Sequence, residues 1–182
     1  MPTYQREVRV RAPLDEVWAF HSRIEGLEAL TPDWMHLCVE DVRRPDDDTD
    51  SGVLDTGTEI RLSMRPFGVG PRQSWTSRIV RREAGDGSAI FEDVMEDGPF
   101  RQWRHRHQFY AISDGETLVR DRVTYELPVV GSLLGPLGWL GFEPMFRSRH
   151  SRTKEILEAG GGAYTGRSDR MDNSRAEDQR SE

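Results

Sequence analysis

Cysteine is almost absent: Cys38 is the only one in 182 residues. An intrachain disulfide is excluded, so packing alone must hold the fold, and a reducing, cytoplasmic compartment is expected. Lysine is equally scarce, with Lys154 the only one among 25 basic residues. The arginines are scattered through acidic sequence at a net charge of -7. No strand or helix collects the basic stripe that nucleic-acid binding needs, so nucleic acid is not an expected partner. No hydrophobic run is long enough to span a bilayer. The most apolar stretch, Leu127 to Phe142 (LPVVGSLLGPLGWLGF), is 16 residues broken by four glycines and two prolines. The first residues, MPTYQREVRVR, alternate in charge and carry no secretory apolar core. No serine sits in a Gly-x-Ser-x-Gly elbow, and no glycine loop ends in the Lys-Ser/Thr of a phosphate cradle. The run Pro45 to Ser51 (PDDDTDS) lacks the spaced ligands and following Glu of an EF-hand, and reads as a solvated acidic loop. No cofactor and no metal is implied by any motif.

What the sequence does have is alternation. Gly98 to Pro128 reads as two long strands about a tight turn at Ser113-Asp114-Gly115-Glu116, with Gly115 available for a positive φ. Trp103, His105, His107 and Phe109 share one face of the first strand, and Val119, Asp121, Val123, Tyr125 and Leu127 one face of the second. The arginines take the opposite, wet faces. Both inner sets are odd-numbered, which favours an odd-length loop, such as three residues with a bulge. The inner surface is apolar except for two histidines, an aspartate and a tyrosine hydroxyl, a mixture suited to a pocket wall.

The rest of the chain follows the same logic. Tyr4 to Arg11 alternates as a strand, and Ala12-Pro13 ends it and opens a helix with Asp15 and Glu16 in its first turn. In that helix Trp18 and His21 read as packing residues. A second short helix covers Ile24 to Leu30 and stops before Thr31-Pro32. Strands are expected at Leu37 to Arg44, Thr58 to Arg65, Gln73 to Arg81 and Ser88 to Glu96, with a turn at Ala84 to Gly87. In the last of these, Phe91, Asp93 and Met95 oppose Ile90, Glu92 and Val94, and alternation alone does not choose the buried face. A helix is expected from Glu143-Pro144, with Phe146, His150, Thr153 and Leu157 on one stripe. The apolar segment before it reads as a loop over the pocket; a membrane-touching lid is the sharper alternative, not the expected one. Gly160 to Glu182 is polar and is expected to be a disordered tail. The order gives an α+β domain over residues 1–159: a seven-stranded antiparallel sheet wrapped around a long C-terminal helix, with two short helices after strand one.

This order and its spaced motifs resemble the SRPBCC superfamily, the START-like helix-grip fold often labelled polyketide cyclase/dehydrase. The resemblance is closest to a ligand-binding group written LTP, GT, W, FxD, GP, WxHxHxF, GT, DxVxYxLP. Here these stand as Leu30-Thr31-Pro32, Gly57-Thr58, Trp75, Phe91-Glu92-Asp93, Gly98-Pro99, Trp103 to Phe109, and Asp121 to Pro128. The second GT departs as Gly115-Glu116-Thr117, which lengthens the turn. The resemblance covers Tyr4 to Leu157. It implies that Phe91 and Asp93 face inward, with Asp93 beside Trp103 or His105, and that a hydrophobic small molecule is held between sheet and helix.

The residues expected at that ligand are Trp75, Phe91, Trp103, His105, His107, Tyr125, Trp139, Phe142, Phe146 and His150. His105, His107, Asp93 and Asp121 allow three readings: a satisfied polar network anchoring sheet and ligand, a general acid/base pair, or a His/carboxylate metal site. Three functions follow. The first is a binder of a lipid, isoprenoid or polyketide-like molecule. The second is a cyclase or dehydratase-type enzyme using the same His/Asp groups. The third is an interaction module presenting residues 127 to 142.

Overall fold

The first strand, β1 (Thr3–Val10), buries Tyr4 and Val10 and leaves Thr3, Gln5, Glu7 and Arg9 exposed, as its alternation requires. The computed structural model describes residues 1–45, 52–126 and 137–159, with backbone alone for 137–141. Pro13 caps α1 (Leu14–His21), where Asp15 and Glu16 complement the helix dipole and Val17 and Phe20 face the core. Helix α2 (Ile24–Leu30) crosses it so closely that a Cβ on Gly26 would lie 2.0 Å from the Phe20 carbonyl oxygen. Thr31, ahead of Pro32, is already extended and ends α2.

Six further strands follow: β2 (Cys38–Arg43), β3 (Glu59–Met64), β4 (Gln73–Gly85), β5 (Ser88–Glu96), β6 (Gln102–Ser113) and β7 (Glu116–Glu126). They and β1 form a seven-stranded sheet in the order β1-β7-β6-β5-β4-β3-β2, with every neighbouring pair antiparallel. β4 runs past its expected end at Arg81, and the turn shrinks to Asp86-Gly87, with Gly87 at φ 73. In the β6–β7 hairpin the odd count comes from a bulge between Ala111 and Ser113, not from a three-residue loop. The turn itself is Asp114-Gly115, and Gly115 does not use a positive φ. The bulge brings Trp103 opposite Tyr125, His107 opposite Asp121 and Phe109 opposite Val119, so both inner sets face the same way. Further bulges at Val39/Asp41 and Ile79/Arg81 bend the outer strands.

Helix α3 (Leu137–Ala159) lies against β1 and α2. It begins well before Glu143-Pro144, so the expected loop over 127–142 is helical from Leu137, with Pro144 inside the helix. A mid-helix proline costs roughly 3 kcal/mol locally. Packing of Phe142 and Phe146 against Tyr4, one on each side of the proline, offsets that cost. Polar ties fix the helix. The Tyr4 hydroxyl donates to Glu143 at 2.7 Å, and Arg6 pairs with the same carboxylate. Arg11 donates to Glu158 at 2.9 and 3.2 Å, and Arg152 donates to the Thr31 carbonyl at 2.7 Å and to Asp33 at 2.9 Å. The expected helix-grip architecture is thus observed. Residues 46–51 of the acidic loop, residues 127–136 of the apolar segment and the tail 160–182 lie outside the described residues. Among the described residues, no helix is long and apolar enough to cross a membrane.

Candidate functional site

The sheet does not close onto α3 along its whole length. Two apolar clusters form, one around Val17, Phe20, Ile79, Phe91 and Phe109, the other around Tyr4, Val123, Tyr125, Phe142 and Phe146. Between them and α2 lies a cavity of about 540 Å³. Its apolar walls come from β3 and β4 (Ile60, Leu62, Trp75, Ile79), from α2 (Leu27, Leu30) and from Trp103 and Phe142. At its rim Trp34 stacks on Phe67 at 4.7 Å, and Phe67 is exposed.

One end is polar. Asp93, His105, His107 and Arg149 all border the cavity there, with Ser77 and His21. Behind them Asp121 is buried on β7 and faces three imidazoles. His105 Nε2 lies 2.9 Å from Oδ1, His150 Nε2 2.6 Å from Oδ2, and His107 Nδ1 2.6 Å from Oδ1. The last contact is close but lacks hydrogen-bond geometry. Burial pushes the Asp121 carboxyl up, but the surrounding histidines hold it well below the usual carboxylate range. An ionised carboxylate only accepts, so the Nε2 atoms of His105 and His150 carry the hydrogens. Burial pushes both His105 and His107 down, so His105 is neutral with Nδ1 an acceptor. That Nδ1 faces Asp93 Oδ1 across 3.7 Å, too far for a hydrogen bond. Asp93 accepts from the Ser77 hydroxyl at 3.2 Å, and burial raises its carboxyl to about 6.

Asp93, His105 and His107 place ligand atoms within 4.8 Å of one another, a two-histidine, one-carboxylate set that could hold zinc or iron. The nearby Arg149 charge, which is coupled to Asp93, works against a cation there.

Of the residues expected from sequence, Trp75, Phe91, Asp93, Trp103, His105, His107, Phe142 and Phe146 border the cavity. Asp93 pairs with His105 across β5 and β6. Asp121, Tyr125 and His150 are buried but stand behind the wall: Asp121 and His150 bind each other, and Tyr125 packs edge-on against Phe142 at 4.9 Å. The side chain of Trp139 lies outside the described residues. Among the polar lining residues, Arg149, His21, Ser77, Thr31 and Gln73 are not among those expected from sequence. Arg149 follows Phe146 by three positions, the spacing that puts both on one helix face, and this is the available signal. His21 does pack, with Nδ1 donating to the Val17 carbonyl at 2.8 Å and its ring 5.0 Å from Phe109, yet it also borders the cavity. Burial pushes it down to about 3.

Residues 10–151 match the family described as polyketide cyclase / dehydrase and lipid transport. No curated protein matches the sequence. Among solved structures, TTHA0849 from Thermus thermophilus superposes with a TM-score of 0.63 at 20% identity, over 88% of this chain and 100% of that one. Norcoclaurine synthase from Thalictrum flavum, as a point mutant with a transition-state analogue, gives 0.62 at 14% identity, covering 88% and 96%. The ZhuI aromatase/cyclase from Streptomyces sp. R1128 gives 0.59 at 17% identity, covering 91% and 98%. At these identities the likeness is one of fold. The family match spans most of the chain and coincides with the helix-grip fold described above: the protein belongs to the polyketide cyclase / dehydrase and lipid transport family.

Proposed function

We propose that the protein binds a hydrophobic small molecule, a lipid, isoprenoid or polyketide-like compound, in the cavity between the sheet and α3. One observation carries the reading: a preformed space of about 540 Å³ whose walls are largely aromatic and aliphatic and whose charged and imidazole groups gather at one end. Pockets of a few hundred Å³ with a few convergent polar groups are the usual form of small-molecule sites. The neutral fluorophore 1-aminoanthracene tests it. Saturable one-to-one binding is expected, and Leu62→Trp, which fills the cavity from β3, should abolish it while the fold persists. Absence of saturable binding, or binding indifferent to Leu62→Trp, would refute the proposal.

A second reading, cyclase or dehydratase-type chemistry in the same cavity, is favoured by Asp93. Its carboxyl, raised to about 6, can exchange a proton near neutrality beside the free Nδ1 of His105. Turnover of a bound polyketide-like substrate that falls roughly a hundredfold in Asp93→Asn with binding retained would select this reading. Equal turnover in the variant would remove it.

A further inference from the structure

Arg149 lines the polar end of the cavity with no carboxylate of the described residues in contact with its guanidinium. It is part-buried on α3 and makes no ion pair and no side-chain hydrogen bond among the described residues. Neither of the two acids nearby pairs with it. Both oxygens of Asp121 face imidazoles, Oδ1 those of His105 and His107 and Oδ2 that of His150. Asp93 holds Ser77 with one oxygen and faces His105 with the other. The Arg149 donors are therefore open to the cavity. Burial pushes Arg149 down, and Asp121 and Asp93 oppose that shift only from a distance. The fork of donors that remains fits the two oxygens of a planar oxyanion.

We infer that Arg149 anchors an oxyanion on the ligand, so that the cavity takes hydrophobic acids in preference to neutral lipids; this rests on the binding reading above. The acid's apolar body lies among Leu62, Trp75, Ile79 and Trp103, which border the same space. Its head meets Arg149 with one edge. Below about pH 6 Asp93 keeps a proton beside it and can donate to the second oxygen, so two carboxyl groups share one proton where two bare carboxylates would repel.

The test compares acids with their own esters on the full chain at about pH 5.5, where Asp93 is mostly protonated, by displacement of 1-aminoanthracene. The pairs are cis-parinaric acid and its methyl ester, and 2-naphthoic acid and its methyl ester. In the native protein the acid of at least one pair should bind roughly tenfold more tightly than its ester or better, the ratio expected of a charge-assisted hydrogen bond. Arg149→Gln should bring that ratio close to one by weakening the acid alone, and Arg149→Lys should restore part of it. Esters that bind as well as acids would overturn the inference and leave the binding reading standing. So would an acid preference that survives Arg149→Gln. Failure of every acid and every ester to displace the probe would overturn the inference; failure of the probe itself to bind would refute the binding reading, and the inference with it. Should Arg149→Gln fail to fold, the native acid-to-ester ratio and the Lys variant still decide.

Discussion

Replacing Asp93 by asparagine should make the protein more stable, not less, and only above a certain pH. The carboxyl sits on the inner face of β5, and burial raises it from 3.8 to about 6. A group whose affinity for protons is higher in the folded state contributes stability that is complete below its unfolded value and is lost as pH rises through its folded value. Stability attributable to Asp93 is therefore present at pH 3.8 and gone above pH 6. Each tenfold change in proton affinity is worth ~1.4 kcal/mol, so ionised Asp93 costs the fold about 3 kcal/mol. Asparagine keeps the shape and can still accept from Ser77, but never ionises. Urea melts of native protein and Asp93→Asn at pH 4, 5, 6, 7 and 8 would measure the gap, with every other titrating group cancelling. The variant should gain steadily from pH 4 to pH 7 and level off up to about 3 kcal/mol ahead. A gap that does not change with pH, or one that moves the other way, would refute the electrostatic account of the polar end.

Asp121→Asn should behave in the opposite sense. It leaves buried imidazole donors of His105 and His150 facing an amide that can accept at only one atom, at a cost of roughly 3–5 kcal/mol by denaturant melt. Phe146→Ala, at a fully buried position, should cost about 3–5 kcal/mol. Trp103→Ala should cost less, because that ring is only part-buried where Phe146 is fully buried, yet it should weaken 1-aminoanthracene binding more than Phe146→Ala does. A chain ending at Ala159 should melt within a few degrees of the full chain, since 160–182 lacks the apolar residues that offset ordering; a larger drop would show that the tail docks.

Elements with strict alternation are the legible part of this sequence. The β6–β7 hairpin can be read because a one-residue slip would expose either Trp103, His105 and His107 or Val119, Asp121 and Val123. The bulge that satisfies the odd count cannot be placed, since nothing local distinguishes Ile112 from its neighbours. β5 resists reading for a physical reason. Glu92, on the outer face, is itself buried beneath Arg104 and Arg106, so both faces of that strand are covered. The start of α3 differs from expectation because a proline's local preference does not register the aromatic packing that surrounds it. The site residues on β4, β5 and β6 are found by their faces. Tyr125 and Asp121 on β7 and His150 on α3 also face inward but stand behind the wall, a difference of depth that periodicity does not encode. In sequence Arg149 flanks the apolar stripe of α3, but a helical arginine is ordinarily a solvent residue, so its position alone does not mark it as cavity-lining.

Native mass spectrometry of the protein purified without organic solvent tests the central claim most directly. The account predicts one non-covalent adduct per chain, a small apolar molecule bearing an acidic group, which is lost on gentle denaturation and is absent from the Leu62→Trp variant. A spectrum showing the same adduct on Leu62→Trp, or only the bare chain from a protein that also fails to bind 1-aminoanthracene, would contradict it.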